Sequence, residues 1–182
     1  MWVWAAPRGP IVWALPGRSA AVLVATAEIG LLAMEIREVM TESVVTATPD
    51  APVRHVAELM RERNVGSVVL VGDDGLPVGF ITDRDLAVSV LADGHPGDTP
   101  AGGHASSPVV TGAPEMDVTE AVKLMVDNGV RRLPIVDGDK LTGIVTLDDL
   151  AVRIGDLEIA ASITAQVTRA ALPGFYFFDR GG

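Results

Sequence analysis

This chain is predicted to adopt a mixed α/β (α+β) fold made of two copies of one β-α-β-β-α unit. Three observations lead there: a ten-residue signature that occurs twice, an internal offset that aligns what precedes it, and apolar strands joined by Gly/Asp turns. The signature Gly-x-x-Thr-x-x-Asp-Leu-Ala-Val runs from Gly79 to Val88 and again from Gly143 to Val152. With an offset of 65, Val44-Val45-Thr46 falls on Val109-Val110-Thr111, Pro49 on Pro114, Val53 on Val118, Leu59-Met60 on Leu124-Met125 and Val71 on Val136. The signature itself aligns at 64, because Asp137-Gly138-Asp139 is one residue shorter than Gly72-Asp73-Asp74-Gly75. A deletion in a Gly/Asp turn falls where a repeated fold tolerates it.

The elements follow in order. Val44-Val45-Thr46 reads as a short strand. A helix from about Pro52 to Arg63 keeps Val53, Val56, Ala57 and Met60 on one face, with Pro52 suited to its first turn. Val68-Val69-Leu70-Val71 and Val78-Gly79-Phe80-Ile81 are strands joined by a hairpin turn, and a closing helix runs from near Asp83 to about Leu91. The second copy repeats this. Val109-Val110-Thr111 is its first strand, and Val118, Ala121, Val122 and Met125 form its helical stripe behind the capping pair Asp117 and Glu120. Leu133-Pro134-Ile135-Val136 and Leu141-Thr142-Gly143-Ile144-Val145 are its hairpin.

The units divide the chain into a leader over 1–33, a first repeat over 34–95, a linker over 96–104, a second repeat over 105–160 and a tail over 161–182. The Gly/Pro-rich stretch from Asp93 to Gly103 is expected to stay out of any core, being poor in apolar residues. Of eight aromatic residues, only Phe80 lies within a repeat; three Trp open the chain and Phe175-Tyr176-Phe177-Phe178 nearly close it. Residues 19–34 are apolar but interrupted by Glu28 and short of the ~20 needed to span a bilayer. Ala25-Thr26-Ala27 after Arg8 and Arg18 resembles a signal-peptidase site. The reading preferred here is an appended or misassigned leader before an ordered module that begins at Met34.

Composition excludes several classes of function. A length of 182 residues with 48% hydrophobic content suits one compact unit of two halves. With no cysteine, disulfides, thiolate metal sites and a Cys nucleophile are ruled out. His55, His95 and His104 are scattered without metal-ligand spacing, which predicts no metal site. A formal charge of −10 argues against nonspecific binding of nucleic acid or an anionic membrane. No Ser/His/Asp set, metal cluster or Gly-Lys-Ser/Thr phosphate loop is present, so an enzyme is not expected.

The signature carries the chemistry. Thr82/Asp85 and Thr146/Asp149 each place a carboxylate three residues after a Thr at a helix start, the spacing of a capping box. The same helix start offers free N–H groups and a positive dipole end to a phosphate. A carboxylate beside it can accept both hydroxyls of a ribose diol, and Gly79 or Gly143 permits close approach. The copies then diverge in charge. Arg131-Arg132 precedes a strand in the second, where the first has Gly66-Ser67, so phosphates would be better neutralised there unless the pair is bridged to acids such as Asp127.

On Val39-Met40-Thr41, on Arg131-Arg132-Leu133-Pro134-Ile135-Val136-Asp137, on both signatures and on the element order, the chain from about 36 to 155 resembles a tandem pair of cystathionine β-synthase (CBS) domains, a Bateman module of the small stand-alone bacterial type. The resemblance implies halves packed with pseudo-twofold symmetry and inter-repeat clefts for AMP, ADP, ATP or S-adenosylmethionine as effector, with no obligatory cofactor. It implies that Asp85 and Asp149 hold ribose, Thr82 and Thr146 the ribose-phosphate region and Arg131 or Arg132 the phosphates, while Val45, Thr46, Val110 and Thr111 line adenine pockets. The first copy departs at Gly66-Ser67, which ranks Asp149 above Asp85. The expected protein is a cytoplasmic, non-enzymatic regulator that forms a homodimer and signals to an unidentified protein partner, with no nucleic-acid or membrane role. The alternative is a ligand-free structural or stress-associated dimer acting by protein contact.

Overall fold

The computed structural model describes residues 34–154 and 157–171. The leader over 1–33 and the aromatic tail from Phe175 to Phe178 lie outside them. The first half contains β1 (Thr46–Ala47), α2 (Val53–Arg63), β2 (Ser67–Val71), β3 (Pro77–Thr82) and a closing helix, α3, that begins over Asp83–Asp85 and continues as a π-helix over Leu86–Leu91. Ahead of β1 lies a short helix, α1 (Ile36–Val39). The second half contains α4 (Val118–Asn128), β4 (Arg132–Asp137), β5 (Lys140–Thr146), α5 (Leu147–Arg153) and α6 (Leu157–Ala171).

The duplication is visible in detail. β2 pairs antiparallel with β3 and β4 with β5, and the register shifts at Leu70/Val71 in one hairpin and at Ile135/Val136, 65 residues on, in the other. Helix α2 ends at Asn64 in the left-handed region (φ 53) and α4 at Gly129 (φ 64), again 65 apart, so both helices stop by the same αL cap. The capping pair Asp117/Glu120 forms as the spacing predicted, with Glu120 N donating to Asp117 Oδ1 at 2.8 Å.

The halves are not independent, because each lends its entering segment to the other. Ile36 N donates to Met116 O (2.8 Å), Arg37 N to Pro114 O (3.1 Å), and Thr41 exchanges two bonds with Ile144. In mirror fashion Ala101 N donates to Ala51 O (2.9 Å), Gly102 N to Pro49 O (2.8 Å), and Ser106 exchanges two bonds with Phe80. Each bond has its counterpart under the repeat offset with the halves exchanged, as a pseudo-twofold axis between them requires. Two cores result. One gathers Val53, Val56, Val68, Leu70 and Ile81 of the first half around Ala101; the other joins Ile36 and Val39 to Val118, Met125, Leu133, Leu150, Ile163 and Val167.

Three expectations change. The linker was expected outside the core, yet Ala101 is fully buried, because backbone pairing to Pro49 and Ala51 draws a small side chain inward where composition registers no hydrophobic bulk. The tail was expected from 161, yet α6 continues to Ala171, its stripe Ala160, Ile163 and Val167 buried at helical spacing. The strand expected at Val109-Val110-Thr111 shrinks to one parallel bridge between Gly112 and Ile135. In the first half Val69 N donates to Val45 O at 3.0 Å and anchors β1 on β2. The equivalent of Val69 is Pro134, which has no N–H to give, so that ladder bond is lost.

Candidate functional site

Both signatures form the predicted caps. Thr82 and Thr146 are extended (φ −112 and −116), and each hydroxyl oxygen accepts from the backbone N–H three residues on. In return Asp85 Oδ2 accepts from Thr82 N (2.8 Å) and Thr82 Oγ1 (2.7 Å), and Asp149 Oδ2 accepts from Thr146 N (2.9 Å) and Oγ1 (2.7 Å). One oxygen of each carboxylate is therefore committed to the cap. No bond to the other, Oδ1, is seen among the described residues, which leaves it able to accept from a ligand.

A cleft of about 290 Å³ opens beside the first of these caps. It is lined by Phe80, Thr82 and Asp85 of the first half, by Ser106, Pro108, Val109 and Val110 of the connecting segment, and by Gly129 through Arg132, Pro134 and Ala171 of the second half. The two sides come together because Ser106 pairs with Phe80 while the chain beyond it runs on to Gly112 beside Ile135. Arg131 is exposed and Arg132 half-buried, and neither has an ion-pair partner among the described residues. Asp127, the acid named in the alternative reading of a bridged pair, is held by Lys123 at 2.6 Å, a hydrogen bond that raises the Lys123 ammonium above the ordinary lysine range. A Cβ added at Gly66 would lie 3.4 Å from Asp83 Oδ2 and 4.0 Å from Arg132 Nη2, so the bare glycine leaves room for the guanidinium to reach the first half's helix start. Two cations without an ion pair among the described residues thus line one cleft with an N-capped helix start and a half-free carboxylate, and Asp83 lies near Arg132.

Comparison with known proteins agrees with this architecture. The CBS domain model matches residues 36–92 and 102–156. The chain belongs to the CBS domain family. It is 38% identical over 133 residues to the CBS domain-containing protein YhcV of Bacillus subtilis, a match covering 73% of this chain and 94% of the relative. It is 45% identical over 119 residues to an uncharacterized protein of Methanopyrus kandleri, covering 64% of this chain and 61% of that relative's length. Among solved structures it is similar to a CBS domain protein from Pyrobaculum aerophilum complexed with AMP (TM-score 0.63, 26% identity, 71% of this chain and 99% of that one). It is also similar to Hypoxic Response Protein I with two coordinated zinc ions (TM-score 0.61, 30% identity, 66% and 98%).

Within this CBS pair the site residues expected from sequence do not all meet. Thr82, Asp85, Val110, Arg131 and Arg132 share the cleft. Thr146 and Asp149 cap α5 and are not part of it. Val45 packs on the first core, Thr46 lies exposed in β1, and Thr111 is exposed. The glycines serve chain packing: a Cβ at Gly79 would meet Ala105 Cβ at 3.1 Å, and one at Gly143 would meet Met40 Sδ at 2.6 Å and Thr41 O at 3.2 Å. The arginine pair, assigned from sequence to its own half's carboxylate, faces that of the other copy because the halves are crossed. Phe80, Ser106 and Pro108 were missed; the single aromatic within the repeats, one residue from the signature's Gly, was the available signal.

The three histidines also separate. His55 stands near Glu58 (3.9 Å), while His95 and His104, called scattered from the sequence, are brought ring to ring. Among the described residues no group of three or more His, Asp or Glu is placed to hold a metal ion, and no helix is long and apolar enough to cross a membrane.

Proposed function

We propose that this CBS pair is a regulatory module that binds an adenosine nucleotide of the AMP, ADP or ATP class in the cleft between Thr82–Asp85 and Arg131–Arg132. The observation that carries the reading is a pair of arginines without ion-pair partners among the described residues, in one cleft with a capped helix start: phosphate suits such a cleft. Asp85 Oδ1 accepts the ribose hydroxyls, Phe80 with Val109 and Val110 provides apolar surface for the base, and Arg131 and Arg132 neutralise phosphate. The Pyrobaculum aerophilum relative complexed with AMP supports this choice of ligand. By the repeat symmetry a second site at Thr146–Asp149 would face Gly66 and Ser67, with Val45 and Thr46 toward the base. Lacking cations of its own, it binds more weakly.

No catalysis is assigned, since Asp85 and Asp149 serve as caps and Asp83 and Asp148 are exposed at helix starts. Signalling follows from a population shift, in which a nucleotide favouring one arrangement of the halves changes the face offered to a partner protein in the cytoplasm. Val88 (54% exposed) and Val152 (81% exposed) occupy equivalent places on the two closing helices, a repeated apolar face suited to a homodimer. That face also favours the second reading, a dimer that acts by contact without ligand. Calorimetric titration with AMP, ADP, ATP and S-adenosylmethionine separates them. A phosphate-dependent affinity, lost in the Asp85→Ala, Asp149→Ala double variant, is expected; no binding at millimolar ligand leaves the contact reading.

A further inference from the structure

The connecting segment brings His95 and His104 together beside α3, and neither of them lines the cleft. Their ring centroids lie 4.9 Å apart with an interplanar angle of 63°. Two imidazoles sharing one tetrahedral ion, each bound at about 2.0–2.1 Å, place their centroids roughly 5 Å apart. Each residue's backbone is anchored locally. His95 is fixed through its backbone N–H, which donates to Val90 O at 2.9 Å, and His104 ends the 3-10 turn Ala101–His104, whose Ala101 is buried in the first core.

A side-chain hydrogen bond decides the tautomer of His104. The Ser89 hydroxyl donates its only hydrogen to Asp85 O at 2.8 Å, and the same oxygen lies 3.3 Å from His104 Nδ1. With its hydrogen committed, Ser89 Oγ can only accept, so Nδ1 carries the proton and Nε2 of the neutral ring carries the lone pair. A ring nitrogen held by an outer hydrogen bond, with the opposite nitrogen bare, is how proteins prepare an imidazole to ligate a metal ion.

We propose that His95 and His104 form a divalent transition-metal site of the zinc class, in which the two imidazoles are the protein ligands and water completes the shell. Imidazole suits zinc, copper and nickel, whereas calcium and magnesium take oxygen donors. Ser89 is a positioning residue that acts through His104. The proposal is independent of nucleotide binding, since it uses no cleft side chain.

The full chain, freed of chelators, is titrated calorimetrically with Zn²⁺ and, as a spectroscopic probe, with Co²⁺. One ion per chain is expected, with the visible absorption of a low-coordinate cobalt centre. Binding is lost in His95→Ala and in His104→Ala, whose circular dichroism melts match the parent, and is retained in His55→Ala. Ser89→Ala keeps the stoichiometry and weakens affinity by about tenfold or more, the usual effect of removing an outer-shell partner. Binding that survives the His95→Ala, His104→Ala double variant, or no binding at millimolar zinc, would overturn the site and leave an edge-to-face aromatic pair.

Discussion

The two repeats share a frame and differ at a few positions, and those positions decide what each can do. The closing helix of the second, α5, is a regular α-helix, whereas that of the first widens into a π-helix after Asp85. The difference coincides with one residue: Ser89 turns its hydroxyl back onto Asp85 O, a bond that bends helices, while its counterpart at the repeat offset is Arg153, which has no such short donor. Similarly Val69 anchors a first strand where Pro134 cannot, and Gly66-Ser67 leaves open the space into which Arg132 reaches. Because the halves are crossed about the pseudo-twofold, the arginines of one copy line the same cleft as the carboxylate of the other. Local divergence after duplication has thus put cations and apolar surface beside Asp85 in a cleft to which both copies contribute.

The comparison can be broken most forcefully in the cores. Leu150 is fully buried in the larger second core, so Leu150→Ala is expected to cost about 2–5 kcal/mol in urea or thermal unfolding. Its counterpart Leu86 is only partly buried, and Leu86→Ala should cost about 1–2 kcal/mol. Equal losses would mean that α6 and α1 do not deepen the second core. Next comes the crossing of entering segments. Gly143→Ala drives a methyl toward Met40 and the Thr41 carbonyl and should cost about 1–3 kcal/mol, with amide exchange rising first over residues 35–41. Gly79→Ala meets only side-chain atoms of Ala105 and Leu70 among its nearest contacts and should cost less.

Smaller effects sharpen the account. Thr82→Ala and Thr146→Ala each remove an N-cap and should cost about 1 kcal/mol, alike in both halves because the cap geometries are alike. The smallest change is expected for Ser89→Ala, within about 0.5 kcal/mol in stability. Its mark would be structural: backbone chemical shifts over Leu86–Leu91 should move toward ordinary α-helix, and unchanged shifts would remove Ser89 as the cause of the π-helix.

Much of this was legible in the sequence because repeated local chemistry has a fixed spacing. Thr three residues before Asp at a helix start makes a cap, and the offset of 65, slipping to 64 past the hairpin turn, located the helices and hairpins of both halves. What stayed hidden is non-local. Nothing in Ala101 itself says that it fills the core of the half preceding it, and nothing in Met40 says that it lies over Gly143. The arginines show the same limit: their own signature is nearest in sequence, but they line a cleft with Asp85. The Pro134 effect could have been read, since a proline inside a strand must forgo one ladder bond, although which neighbour loses it depends on the fold.

The central claim is that the charged cleft, rather than its uncharged equivalent, is the principal nucleotide site. Titration of AMP into the parent chain and into Asp85→Asn, Asp149→Asn and the Arg131→Ala, Arg132→Ala double variant tests it most directly. Asparagine keeps the capping acceptor while removing the charge proposed to hold the ribose hydroxyls. The account predicts that Asp85→Asn and the arginine double variant each weaken the tighter binding event by about tenfold or more, the worth of charged hydrogen bonds, while Asp149→Asn leaves it intact. Tight binding that persists without Asp85 and both arginines, or that disappears with Asp149 alone, would contradict it.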